Sequence, residues 1–177
     1  PHRIRTDPHG LLREMEAARH CLEGGNLRRA AGVLKRLRER LRNSCSLTRA
    51  FIAPLCDYWY GVTVLRLGED SGREVLDELR GTWTEPPARA HLALLSLREG
   101  DLERAEAELR GLDDECPSSL YARAVICERR GDSTRARYWL EQLERVTLAS
   151  DGSHLAAGRR LAAALYEREG NRDGAKQ

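Results

Sequence analysis

The stretch that decides the fold is residues 86–117, PPARAHLALLSLREGDLERAEAELRGLDDECP. Ala90, Ala93, Leu94 and Leu97 recur at three- and four-residue steps, the spacing that stacks side chains on one face of a helix. Gly100-Asp101 interrupts the run. Glycine accepts the left-handed backbone of a helix end, and a short polar side chain after it can cap the next helix. Leu102, Ala105, Leu109 and Leu112 mark that next helix, and Pro117 closes the unit.

Outward from this unit the same phrase recurs as Gly25-Asn26, Gly68-Glu69, Gly131-Asp132 and Gly170-Asn171, at intervals of 43, 32, 31 and 39 residues. Four of the five turns carry an alanine five residues after the glycine: Ala30, Ala105, Ala136 and Ala175. A period of this length is the signature of stacked helix-turn-helix units. Upstream, Leu11, Met15, Ala18 and Leu22 share one face, Gly24-Gly25 ends that helix, and Asn26 can cap a second carrying Leu27, Ala30, Leu34, Leu37 and Leu41. Residues 43–57 contain Pro54 and are read as irregular, which accounts for the long first interval. A helix is expected from about Asp57 to Leu67, and a partner near Gly72 to Leu79. Residues 82–87, TWTEPP, form a break in which Thr84 can cap. Downstream, Tyr121, Ala124 and Val125 precede Gly131-Asp132, and Ala136, Trp139, Leu140 and Leu143 follow it. A polar connection over 147–154 leads to a last apolar helix, Leu155 to Tyr166.

These units resemble tetratricopeptide repeats. In that family's pattern a small residue in helix A packs against helix B, a Gly-Asp or Gly-Asn turn follows, and helix B carries a small residue early and a bulky apolar one four later. Ala93, Gly100-Asp101, Ala105, Leu109 and Pro117 match it, as do Ala124, Gly131-Asp132, Ala136 and Leu140. Ala18, Gly25-Asn26, Ala30 and Leu34 match it at the first turn, and Ala163, Gly170-Asn171 and Ala175 at the last. The second unit departs: it has Gly61 and Gly68, but Arg73 stands where the small residue belongs, as an extra residue in the turn would explain. The resemblance implies an all-α superhelical array of antiparallel helix pairs, a tetratricopeptide-like α-solenoid. Residues 1–10 are read as a leader or linker, and 11–177 as one repeat domain with units at about 11–42, 54–85, 86–117, 118–150 and a truncated 155–177. The open end of that last unit is expected to be covered by the parent chain or a partner, with Leu161, Ala162 and Leu165 as interface. The chain opens at Pro1 rather than Met, as expected of a piece of a longer protein.

Composition narrows the function. No apolar run approaches the roughly 20 residues a membrane helix needs, and no signal peptide opens the chain. Cys21, Cys45, Cys56, Cys116 and Cys127 are odd in number and lack CxxC spacing, which argues against a disulfide framework or a zinc site and for a reducing cytoplasm or nucleus. His2, His9, His20, His91 and His154 are scattered, and no HExxH, P-loop or GxSxG motif is present. No catalytic residue, metal or cofactor is expected. Asp113-Asp114-Glu115 before Pro117 reads as a solvated loop, and His91 as a structural histidine.

The partner-binding candidates come from aligning the units on their glycines. Two positions before the glycine stand Arg66, Arg98, Arg129 and Arg168, with Glu23 in the first unit. Six before it stand Val62, Leu94, Val125 and Ala164, with Arg19 in the first; ten before it stand Met15, Tyr58, Ala90, Tyr121 and Arg160. The resemblance implies that helix A lines a concave wall. Tyr58, Val62, Arg66, Leu94, Arg98, Tyr121, Val125, Arg129 and Arg168 would then meet an acidic amphipathic helix or extended peptide of a partner protein. A cation in a helix's last turn is also favoured by the helix dipole, by about 0.3–1 kcal/mol, which would place such arginines without any ligand. Chaperone-binding members hold a terminal carboxylate with a Lys, Asn, Asn, Lys, Arg clamp; Met15, Arg19 and Trp59 stand at matching positions and the asparagines are missing, so chaperone tails are not the expected ligand. The competing reading is nucleic acid. Residues 1–50 hold 12 basic and 5 acidic side chains against 18 and 23 in the remainder, and Arg28, Arg29, Lys35, Arg36 and Arg40 on one helix could contact phosphates.

Overall fold

The computed structural model describes residues 8–112, 116–147 and 153–168. Among these the chain is helical, with α1 (Pro8–Glu23), α2 (Leu27–Arg42), α3 (Ser46–Arg66), α4 (Ser71–Asp77), α5 (Glu85–Glu99), α6 (Leu102–Leu109), α7 (Pro117–Arg129), α8 (Ser133–Thr147) and α9 (Ser153–Arg168). It divides into two compact units, Pro1–Ala88 and Arg89–Gln177.

Four described turns repeat one hydrogen-bond pattern. Gly25, Gly68, Gly100 and Gly131 have φ between 73° and 84°. The next residue's N–H donates to the carbonyl five residues back: Asn26 to Cys21, Glu69 to Val64, Asp101 to Ser96 and Asp132 to Cys127, at 2.8–3.1 Å. This closes helix A in a Schellman motif. Three turns then start helix B with the same side-chain cap: Asn26, Asp101 and Asp132 Oδ1 accept from the N–H of Arg29, Arg104 and Arg135. Glu69 is too long to do this. In that turn the N-cap is Asp70, one residue later, and no side-chain cap bond forms. The turn Gly170-Asn171 and Ala175 lie outside the described residues.

An extra residue in the turn does not account for Arg73, because the small residue stands four positions after the turn glycine rather than five. The small residue is Gly72, fully apposed to Gly61 of α3: a Cβ on Gly72 would lie 2.5 Å from the Gly61 carbonyl oxygen and 2.9 Å from the Leu65 nitrogen. Two backbones therefore touch where the other pairs use alanine: Ala18 with Ala30, Ala93 with Ala105, Ala124 with Ala136, all wholly buried.

A second correction concerns residues 43–57. Only residues 43–45 are irregular: α3 runs unbroken from Ser46 through Pro54 to Arg66. Pro54 forfeits one helix hydrogen bond and crowds the preceding turn, a cost of about 3 kcal/mol. Burial offsets it. Cys56 is buried in a cluster with Leu11, Met15, Ala18, Leu34, Leu37 and Leu41, and Ile52, Ala53 and Leu55 pack against that cluster. Each leucine so buried is worth about 1.5–3 kcal/mol. Thr84, the N-cap whose carbonyl accepts from Ala88, also directs its hydroxyl to the Pro54 carbonyl at 3.4 Å, fixing the α4–α5 connection to α3. The partner helix expected near Gly72 to Leu79 is α4, seven residues long.

In the second unit one cluster joins α5, α6 and α7 (Ala90, Ala93, Leu97, Ala105, Leu109, Ala122, Ile126) and another joins α7, α8 and α9 (Leu120, Ala124, Ala136, Leu140, Leu143, Leu165). Leu165 is 1% exposed, so it is core and not an open interface; Leu161 and Ala162 are half-buried against the same cluster. The reason is Gly158, whose missing Cβ lets α9 lie against Leu143 of α8.

Gly72→Ala is expected to lower stability by about 1–3 kcal/mol, because rigid backbone faces the new methyl. Gly32→Ala in α2, with nothing within 4 Å, is expected to raise it by about 0.5–1 kcal/mol. Urea denaturation followed by circular dichroism reads both.

Candidate functional site

The three aligned rows differ in depth. At the row ten before the turn, Ala90 is wholly buried and Met15 is 5% exposed, so neither can meet a ligand, while Tyr58 and Tyr121 are half-buried. At the next row Val62, Leu94 and Val125 are half-buried and Ala164 exposed. At the row nearest the turn Arg66, Arg98, Arg129 and Arg168 are all exposed. Tyr58, Val62 and Arg66 belong to the first unit and the remainder to the second. Leu94 and Val125 pack against one cluster, to which α5, α6 and α7 all contribute, and Tyr121 packs on the adjoining one.

Two of the four arginines share a carboxylate. Arg168 Nη1 donates to Glu128 Oε1 at 2.8 Å, and Arg129 Nε lies 4.0 Å from Glu128 Oε2. Such an exposed pair contributes about 0–1 kcal/mol, little enough for a ligand carboxylate to displace. Arg19, in the first unit, is bound to Glu16 and Glu23 of its own helix. On the basic helix Arg28, Arg29, Lys35 and Arg36 are exposed, and Arg40 pairs with Glu14 of α1.

Other arginines are structural, and the residue pattern did not single them out. Arg38 pairs with Asp57 across α2 and α3 and lies 4.5 Å from the Tyr60 ring centre. Arg89 of α5 donates to the carbonyls of Ala107 and Arg110, and Arg123 of α7 to those of Leu109 and Leu112. Together they bind carbonyls at and just beyond the end of α6, where the regular helix bonds stop. Arg123 also stacks 5.2 Å from Trp139. It borders a cleft of about 320 Å³ between α6, α7 and α8, where Arg130 pairs with Glu106 and Arg135 with Asp132. Arg130 and Arg135 are thus held by carboxylates of the cleft's own walls.

Among the described residues no group of three His, Cys, Asp or Glu comes together to hold a metal, and no helix is long and apolar enough to cross a membrane. All five cysteines are free. Cys45 is exposed at the N-cap of α3; contact with the Thr48 hydroxyl at 3.1 Å, then the Thr48 N–H, holds its thiol below the ordinary range. Burial pushes the Cys56 thiol up to about 12, and burial also raises that of Cys127.

No protein-family model matches the sequence, and no curated protein matches it. A solved structure does match: a Podosopora anserina chain assigned as a kinesin light chain, built of nearly identical TPR-like repeats, with a TM-score of 0.59 at 18% identity over 97% of this chain and 92% of that one. The fold is therefore an all-α, tetratricopeptide-like helical repeat.

Arg38→Ala is expected to cost about 1–3 kcal/mol, since it strands a partly buried carboxylate, whereas Arg98→Ala stays within about 0.5 kcal/mol of the parent. Thermal denaturation separates the two. Near pH 7 iodoacetamide is expected to modify Cys45 first and Cys56 last, because the thiolate is the nucleophile. Peptide mass mapping over time gives the order, and denaturant is expected to erase it.

Proposed function

We propose that this chain is a non-catalytic protein-interaction module, holding an acidic amphipathic helix or extended peptide of a partner as scaffold, adaptor or dedicated chaperone. The observation that carries this reading is the graded face of the A helices. Half-buried Tyr121, Val125 and Leu94 provide apolar anchorage, and exposed Arg98 and Arg129 stand at its edge. Aromatic and aliphatic anchors rimmed by guanidiniums suit a ligand with apolar side chains and carboxylates. Tyr58, Val62 and Arg66 repeat the set on α3, and Arg168 extends it on α9. Helical-repeat folds commonly use such extended faces for binding. The five free thiols favour a reducing, cytoplasmic or nuclear setting.

The basic helix is the weaker reading. Arg40 is already paired with Glu14, and the cations of α2 have no interleaved aromatic side chains for base stacking.

The test is affinity purification from the native source with mass spectrometry, comparing the parent with the double variant Arg98→Glu/Arg129→Glu. A specific protein lost from the variant, with helicity and melting unchanged, is the expected outcome. Recovery that depends on intact nucleic acid, or that is indifferent to both substitutions, would move the contact off these helices.

A further inference from the structure

Gly32 stands inside α2, exposed, with nothing within 4 Å of the position its Cβ would take. Gly61, Gly72 and Gly158, also inside helices, each lie against a neighbouring helix that a Cβ would strike. A glycine in a helix interior lowers stability relative to alanine. Close packing, or a ligand that must approach the backbone, is what ordinarily offsets that loss. Gly32 has no packing neighbour to offset it.

Its four neighbours on the helix surface are all cations. Residues three and four positions away flank a helical residue, and for Gly32 these are Arg28, Arg29, Lys35 and Arg36. At 3.6 residues per turn, Arg28 and Lys35 stand on one side of Gly32 and Arg29 and Arg36 on the other, about 40–60° round the helix and within about 12 Å along its axis. All four are exposed. Among the described residues the ion pairs of α2 belong instead to Arg38, with Asp57, and to Arg40, with Glu14. Glu39, the one carboxylate on α2, pairs with none of the four.

Four cations framing a bare stretch of backbone suit an anion that packs several charges into the same short span. Phosphomonoesters do this: each carries about −1.5 to −2 and three strong acceptor oxygens, and guanidinium grips them bidentately. Nucleic acid spreads its phosphates along a track, and α2 has no aromatic side chain for its bases. Acidic peptides offer one charge per side chain. We propose that Arg28, Arg29, Lys35 and Arg36, around Gly32, bind a compact polyphosphate, several phosphate groups on one small ring, either free or as a lipid headgroup. The site uses none of the aligned A-helix residues and stands whether or not they bind a ligand.

The probe is inositol hexakisphosphate, titrated into the whole chain by calorimetry at physiological salt. Saturable binding is expected. Arg28→Gln/Arg36→Gln is expected to weaken it about tenfold or more. Arg104→Gln/Arg145→Gln, which removes the same charge from exposed positions of α6 and α8, is expected to change it less than about twofold. Gly32→Leu keeps every charge and favours the helix, so helicity and melting temperature are expected to hold or rise; binding is expected to fall about tenfold, because the side chain fills the approach to the backbone. Sedimentation with phosphatidylcholine vesicles containing phosphatidylinositol bisphosphate, but not with phosphatidylserine vesicles of equal charge, assigns the lipid headgroup, and sedimentation with neither assigns a free ligand. Sedimentation with both overturns the proposal. So does a hexakisphosphate that does not bind, binding indifferent to Gly32→Leu, or equal binding of duplex DNA or of a polyglutamate peptide.

Discussion

The close approach of paired helices is the constraint on which the rest of this structure depends. At Gly61 and Gly72 backbone meets backbone, and at Ala18/Ala30, Ala93/Ala105 and Ala124/Ala136 one buried methyl stands on each helix. Only small residues let two helices interlock at such short range. Once they do, the larger side chains around them close into clusters: Leu34, Leu37 and Leu41 against Leu11 and Met15, and Leu140 and Leu143 against Leu120 and Leu165. The Gly turns set where each pair begins, because the left-handed glycine and the following cap fix how far helix B lags behind helix A. Where Glu69 cannot cap, helix B starts a residue later, yet its small residue, Gly72, stands a residue nearer the turn glycine than the alanines of the other pairs.

The arginines divide by what they touch. Arg89 and Arg123 close the C-terminal end of α6 from neighbouring helices, and Arg38 ties α2 to α3. Guanidinium suits this work: it spans two acceptors at once and keeps its charge. The arginines at the ends of the A helices differ. They stand exposed, held at most by surface pairs such as Arg168–Glu128. The helix dipole accounts for a cation in the last turn by itself. What it does not account for is the half-buried apolar row one turn further back.

A tetratricopeptide-like fold fixes how surfaces are presented and leaves open what they hold. The likeness to repeats of a kinesin light chain, at 18% identity, is a likeness of backbone. Specificity therefore resides in side chains, and the face proposed for it is that of Tyr121, Val125 and Arg129. The apolar flank of α3 is a separate feature, on a helix of 21 residues where α1, α5 and α7 have 16, 15 and 13.

Much of this was legible in the residues. The 3.6-residue periodicity, the Gly-Asn and Gly-Asp turns and the small residues seven before and five after them fixed helix pairs and their capping, because each is a local rule of backbone geometry. Pro54 misled, since a proline reads as a helix end until burial of Ile52, Leu55 and Cys56 on α1 and α2 outweighs its cost. Arg73 misled because the close contact of this pair falls on Gly72, one residue before the position that the alanines occupy, a register set by how α4 packs on Gly61 and Leu65. Leu165 misled because an apolar residue on a final helix reads the same whether covered or bare. Periodicity names which residues share a face; depth is decided by the neighbouring helix. Only the tertiary structure could therefore bury Met15 and Ala90, leave Arg98 exposed, and set Phe51 and Trp83 together across 32 residues of chain.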